Sequence, residues 1–139
     1  MTRLLAIAAL AFVMLAPPAA AQGKPAARAE PVWDGRPLSS WIEDLTGLAP
    51  ITRSNAAFAI TEIALDDSGV AAGPAVPALI EALKDAYAPV RYRVAYALGA
   101  IGPAASAAIP ALTETLDDRN EDVVFIAKKS LKKIGATVE

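Results

Sequence analysis

Between residues 89 and 102 the apolar side chains Val90, Val94, Leu98 and Ile101, joined by Ala97, fall on one stripe at helical spacing. Tyr92, Arg93, Tyr96 and Gly99 fall on the opposite face. A stripe of that period is the face an amphipathic helix packs against a core. No apolar and polar alternation with a hairpin turn marks a strand in the chain.

The pattern is stated more than once. A shift of 33 carries Pro77, Ala78, Leu79, Glu81 and Leu83 onto Pro110, Ala111, Leu112, Glu114 and Leu116. The same shift carries Asp85, Val90, Leu98, Ile101 and Gly102 onto Asp118, Val123, Leu131, Ile134 and Gly135. A shift of 38 finds a fainter earlier copy, with Trp41, Glu43, Arg53, Ala57 and Ile60 on Leu79, Glu81, Arg91, Ala95 and Leu98. The five extra residues fall in the Gly/Asp/Ser-rich stretch ALDDSGVAAG, where a loop lengthens at small cost. Each unit reads as two helices, the first over 38–48, 75–85 and 108–118, the second over 52–65, 89–101 and 121–134. Proline suits the first turn of such helices, and Gly102 and Gly135 stand where a C-terminal cap is expected. Ser39 and Ser40 read as N-cap residues of the opening helix. Units of this kind bury their apolar faces only against one another, and three are about the minimum for a stable stack.

Composition then narrows the chemistry. The chain has 139 residues, enough for one domain, and 55% of them are hydrophobic, a figure inflated by alanine. It has no His and no Cys, which excludes a Ser-His-Asp triad, a Cys nucleophile and an imidazole metal site. Glu43, Glu81 and Glu114 recur at one first-helix position and read as a surface feature, since a catalytic carboxylate pair would be unique and held in a cleft. Asp66-Asp67-Ser68-Gly69 lacks the alternating ligands and closing Glu of a calcium loop and reads as a solvated turn. No catalytic residue, metal ligand or cofactor is predicted.

A basic start at Arg3, an apolar run from Leu4 to Ala16 and small residues at Ala19-Ala20-Ala21 match a secretory signal over 1–21. The run is shorter than the roughly 20 residues of a spanning helix. The mature chain is then expected outside the cytoplasm, periplasmic or secreted. Residues 22–37 read as a flexible tether and N-terminal cap, with Trp33 and Trp41 available to cover the first unit. Residues 38–139 form the repeat domain, with units at 38–65, 75–102 and 108–135. Without the signal, twelve basic residues face fifteen acidic ones, a net of −3. That balance argues against nucleic acid, which requires a basic surface.

The phrase PAVPALIEALKD…VRYRVAYALGAIGP resembles the HEAT-like repeat, in the short form found with phycobilisome lyase proteins. WDGRPLSSW resembles the lead-in of exported bacterial proteins of this type. The resemblance covers Leu38 to Gly135 and implies an all-α fold, a right-handed α-solenoid of about three helical hairpins. It also implies an Asp–Arg ladder between units. The Asp slot holds Gly47, Asp85 and Asp118, and the Arg slot holds Arg53, Arg91 and Val124, so the implied pairs are Arg53–Asp85 and Arg91–Asp118.

In the solenoids resembled, the second helices line the concave surface. That places Ser54, Tyr92 and Phe125 in one row and Phe58, Tyr96 and Lys129 in the next. Phe58, Tyr92, Arg93, Tyr96 and Phe125 are therefore the candidate partner-binding residues, because exposed aromatics beside an Arg anchor protein interfaces. The other reading, that the rings complete a thin alanine-rich core, stays open. Lys128, Lys129, Lys132 and Lys133 read as a solvated face at a helix C-terminus or as a site for an anionic surface such as a membrane. The function implied is a scaffold or adaptor for a protein or peptide. The alternatives are a lyase-like or non-catalytic enzyme subunit, and a structural envelope protein.

Overall fold

A computed structural model describes residues 29–66 and 69–137. The expected signal peptide, residues 22–28 of the tether, and Asp67 and Ser68 lie outside them. The described chain opens on an element that the sequence pattern does not announce. Strands β1 (Val32–Trp33) and β2 (Arg36–Pro37) pair antiparallel, Val32 opposite Pro37 and Trp33 opposite Arg36. Asp34 and Gly35 turn between them with φ of 50° and 73°, the backbone of a two-residue hairpin loop that favours Asp-Gly. Two-residue strands are too short to show alternation, so that dipeptide was the only signal available.

The ribbon is fastened to α1 (Leu38–Asp44). The Leu38 N–H donates to the Pro31 carbonyl at 2.9 Å, and Arg36 lies 3.8 Å over the Trp41 ring while pairing with Asp44 at 2.8 Å. Trp33 meets Trp41 edge-on at 5.7 Å, so the indoles cover the first unit. Ser39 and Ser40 are not the cap. They lie inside the first turn, and the free Ser39 N–H and hydroxyl both donate to the Glu30 carboxylate. The cap thus comes from a residue nine positions upstream, brought back by the hairpin.

Three helical hairpins follow, α1 with α2 (Pro50–Asp66), α3 (Val76–Ala82) with α4 (Ala88–Ile101), and α5 (Ile109–Glu114) with α6 (Glu121–Ile134). Helices α2, α4 and α6 pack side by side as one layer, and the three shorter helices form the other. This is the all-α solenoid expected. The first helices stop short of their predicted ends at 48, 85 and 118. In all three units the last turn tightens to i→i+3 bonds, as at Gly47 to Asp44 (3.0 Å), Asp85 to Ala82 (3.1 Å) and Asp118 to Thr115 (3.1 Å). The links between units, the first of them expected as loop, are 3₁₀ helices over Val70–Ala75 and Gly102–Ala108 whose buried alanines pack against the stack. Their small side chains let the backbone lie close to the first-helix layer. Residues 88–117 are long and apolar enough to cross a membrane by composition, but half of the apolar 18-residue window within them is buried in the core. It is divided by Gly102 at φ 69° into helices of two different hairpins.

Leu79, Val90, Val94, Leu98, Leu112 and Leu131 are fully buried, and a layer of alanines including Ala56, Ala59, Ala95, Ala97 and Ala127 lets the long helices approach closely. Gly99 belongs to this contact and not to the exposed face. A Cβ there would stand 2.5 Å from the Ser130 Oγ and 3.0 Å from the Ser130 Cα. The Ser130 hydroxyl donates to the Ala95 carbonyl at 2.6 Å, which satisfies a buried polar group at the α4–α6 seam. At about 100° per residue, three steps past Tyr96 bring Gly99 round toward α6. Ser54, placed in the inner row, is likewise buried.

Candidate functional site: an aromatic groove on the second helices

The geometry of the groove rests on two charge pairs at the turns that lead into the long helices. Arg53 grips Asp85 through Nε at 2.5 Å and Nη2 at 3.0 Å, and its Nη1 donates to the Gly47 and Leu48 carbonyls at 2.8 and 3.0 Å. Arg91 grips Asp118 through Nε at 2.7 Å and Nη2 at 2.8 Å, and its Nη1 donates to the Asp85 carbonyl at 2.8 Å. Forked contacts of this kind hold direction as well as charge. Each carboxylate also accepts the N–H two residues on, Tyr87 and Asn120 respectively, both at 2.9 Å. That local bond delivers the chain into the next helix. The first unit has Gly47 in place of the acid, and its backbone carbonyl meets Arg53 as the Asp85 carbonyl meets Arg91 in the next unit.

These contacts hold both carboxyls below the usual aspartate range. For Asp85 burial is the largest single influence and works the other way. It is outweighed by the Arg53 hydrogen bond, the Tyr87 N–H and the charges of Arg53 and Arg91 together. For Asp118 the Arg91 hydrogen bond leads, opposed by burial and aided by the Asn120 N–H and by the Arg91 and Arg119 charges. Both guanidiniums are raised, first by their carboxylate hydrogen bonds. The pairs lock each hairpin to the next and so fix where α2, α4 and α6 present their outer faces.

On that face lies an open groove of about 820 Å³. Phe58 and Thr61 of α2 form one wall, Ala88, Pro89, Tyr92, Arg93 and Tyr96 of α4 form the floor, and Asn120 and Asp122 form the other wall. Phe58, Tyr92, Tyr96 and Phe125 are exposed to 40%, 36%, 40% and 57%, so the rings stand out of the core. Phe58 is shared with the N-terminal cap, meeting Trp33 edge-on at 5.6 Å. Phe125 lies on α6 beside the groove. A cation stands over three of the rings: Arg93 over Phe58 at 5.5 Å, Lys133 over Tyr96 at 5.6 Å and Lys129 over Phe125 at 4.9 Å. Such contacts orient a long side chain without neutralising it.

Of the partner-binding residues expected from the sequence, Phe58, Tyr92, Arg93 and Tyr96 come together in the groove, and Phe125 stands alongside. Lys133, expected only as part of the terminal cluster, reaches back over Tyr96. Lys128, Lys129 and Lys132 are exposed on α6. Sequence reasoning missed Thr61, Ala88, Pro89, Asn120 and Asp122. The signal was present, because Thr61 is one turn beyond Phe58, Pro89 is one turn before Tyr92, and the shift of 33 carries Pro89 onto Asp122. Among the described residues no cluster of three or more acids is placed to hold a metal ion.

This stack of paired helices, tied by an Arg–Asp contact from each hairpin to the next, defines a helical-repeat protein. The family model for HEAT repeats matches residues 38–135, and the chain belongs to that family. No curated protein matches the chain. HEAT repeats generally mediate protein–protein interaction, and the all-helical stack is of that kind.

Proposed function

We propose that this protein is a non-catalytic adaptor that docks a protein or peptide partner in the groove of α2, α4 and α6, and that it works outside the cytoplasm after removal of residues 1–21. The observation that carries the reading is the set of four exposed aromatic rings aligned along the second helices, three of them with a cation above. Large rigid rings beside a guanidinium are the residue types that dominate interface energetics, because they bury much area at little entropic cost. The absence of His and Cys from the sequence and the open form of the groove favour docking over catalysis.

The test uses the full chain as bait in an extract of its own cell envelope, beside a Tyr92→Glu/Tyr96→Glu bait that circular dichroism shows to be equally helical. A protein held by the first bait and released by the second supports the docking face. Equal retention by both baits contradicts it.

A further inference from the structure

This inference rests on the docking face just described and concerns the chemistry of its occupant. The chain is acidic overall, with a formal net charge of −2, but three of its cations gather on the ringed face. Exposed Glu43, Glu81, Glu114 and Asp117 stand on the short-helix layer. Arg93, Lys129 and Lys133 stand over the rings of the opposite layer, and among the described residues none of the three is in an ion pair. One acid, Asp122, is part of the groove wall itself, in the first turn of α6 where the helix end favours a negative charge, and Glu62 of α2, one turn beyond Phe58, is part-buried.

The cations are also spaced. Arg93 leans across to Phe58 of α2, and Lys133 leans back to Tyr96 of α4, so one charge marks each seam between the long helices. Packed helices lie about 8–10 Å apart. A polyproline II segment has three residues per turn and rises about 3.1 Å per residue, so side chains at i and i+3 project the same way about 9 Å apart. Aromatic-lined grooves also receive that conformation with little ordering cost.

We propose that the groove binds an acidic segment in polyproline II conformation, with carboxylates at i and i+3 on Arg93 and Lys133 and prolines between them on Tyr92 and Tyr96. Charge sets aside the chain's own segment 22–28, which carries Lys24 and Arg28. A second copy docking its acidic layer here would make a head-to-tail contact and not a two-fold pair, and would show as self-association.

The probe is a fluorescein-labelled peptide of about twelve residues built around Glu-Pro-Pro-Glu, titrated with the full chain and followed by anisotropy. Expected is saturable binding that weakens as salt rises from about 50 to about 300 mM. Binding should be weaker by at least about tenfold for the Gln-Pro-Pro-Gln peptide and for the Arg93→Gln/Lys133→Gln variant. No binding of the acidic probe overturns the inference. Equal binding of the Gln peptide also overturns it, while leaving the docking face intact if Tyr92→Ala/Tyr96→Ala releases both peptides. If the Tyr variant holds the acidic probe as well as the parent chain does, the inference and the docking face fall together. Self-association that the Arg93→Gln/Lys133→Gln variant abolishes would assign the groove to a second copy instead.

Discussion

Arg91 is 5% exposed, so its partner cannot be removed without leaving a buried charge. Asp118→Asn is expected to cost roughly 3 kcal/mol, whereas Arg91→Met/Asp118→Asn costs less because no charge is then stranded and the amide oxygen still accepts the Asn120 N–H. Chemical denaturation of the single and double variants measures the difference. The pairs also set a pH dependence. Asp85 and Asp118 have native pKa values below the ordinary 3.8, so the unfolded chain binds their protons first. Their stabilisation is complete well above pH 3.8 and is lost as the pH falls through that value to their own lower ones. The thermal midpoint should therefore hold from pH 7 to about pH 5 and fall below about pH 4, with a shallower acid limb in Asp85→Asn/Asp118→Asn. At this scale the sequence was informative because the Arg and Asp slots recur by copy, and a copied position places a residue in space. Non-recurring contacts, such as Glu30 at the start of α1 or Arg36 on Trp41, left no such trace.

Among the elements, the long helices were legible nearly to the residue, α6 over Glu121–Ile134 included, because their apolar stripes are continuous and glycine stops them. The short helices were not, because their last turns keep an apolar pattern while changing hydrogen-bond register. Nor were the 3₁₀ links, whose alanine, glycine and proline carry no helical stripe. The α4–α6 seam gives the sharpest element-level prediction. Alanine is the better helix former than glycine by about 1 kcal/mol, yet a Cβ at Gly99 meets the Ser130 backbone as well as its hydroxyl. Overpacking of about 1–3 kcal/mol outweighs the propensity gain, so Gly99→Ala should lower the thermal midpoint. Ser130→Ala should not rescue it fully, because the Ser130 Cα remains 3.0 Å from the added carbon. A midpoint raised by Gly99→Ala would show that the helices separate freely there.

At the scale of the whole molecule, repetition has two consequences. Each hairpin supplies the surface its neighbour buries, and equivalent outer positions fall into rows, so a few aromatic residues spread through the sequence become one surface. The row logic found the rings and missed the groove's ends, because Pro89, Asn120 and Asp122 belong to the turns that open the helices. If the rings serve docking and not the core, Tyr92→Ala and Tyr96→Ala should each change stability by less than about 1 kcal/mol, against about 3 kcal/mol for Leu98→Ala in the buried stripe. The most direct test places a photo-crosslinking amino acid at Tyr96, in the groove, or at Glu81, on the opposite layer, in the protein within its own cells. A docking groove on the second helices gives a discrete protein adduct from position 96 that position 81 does not give. The same adduct from both positions, or one from position 81 alone, would contradict it.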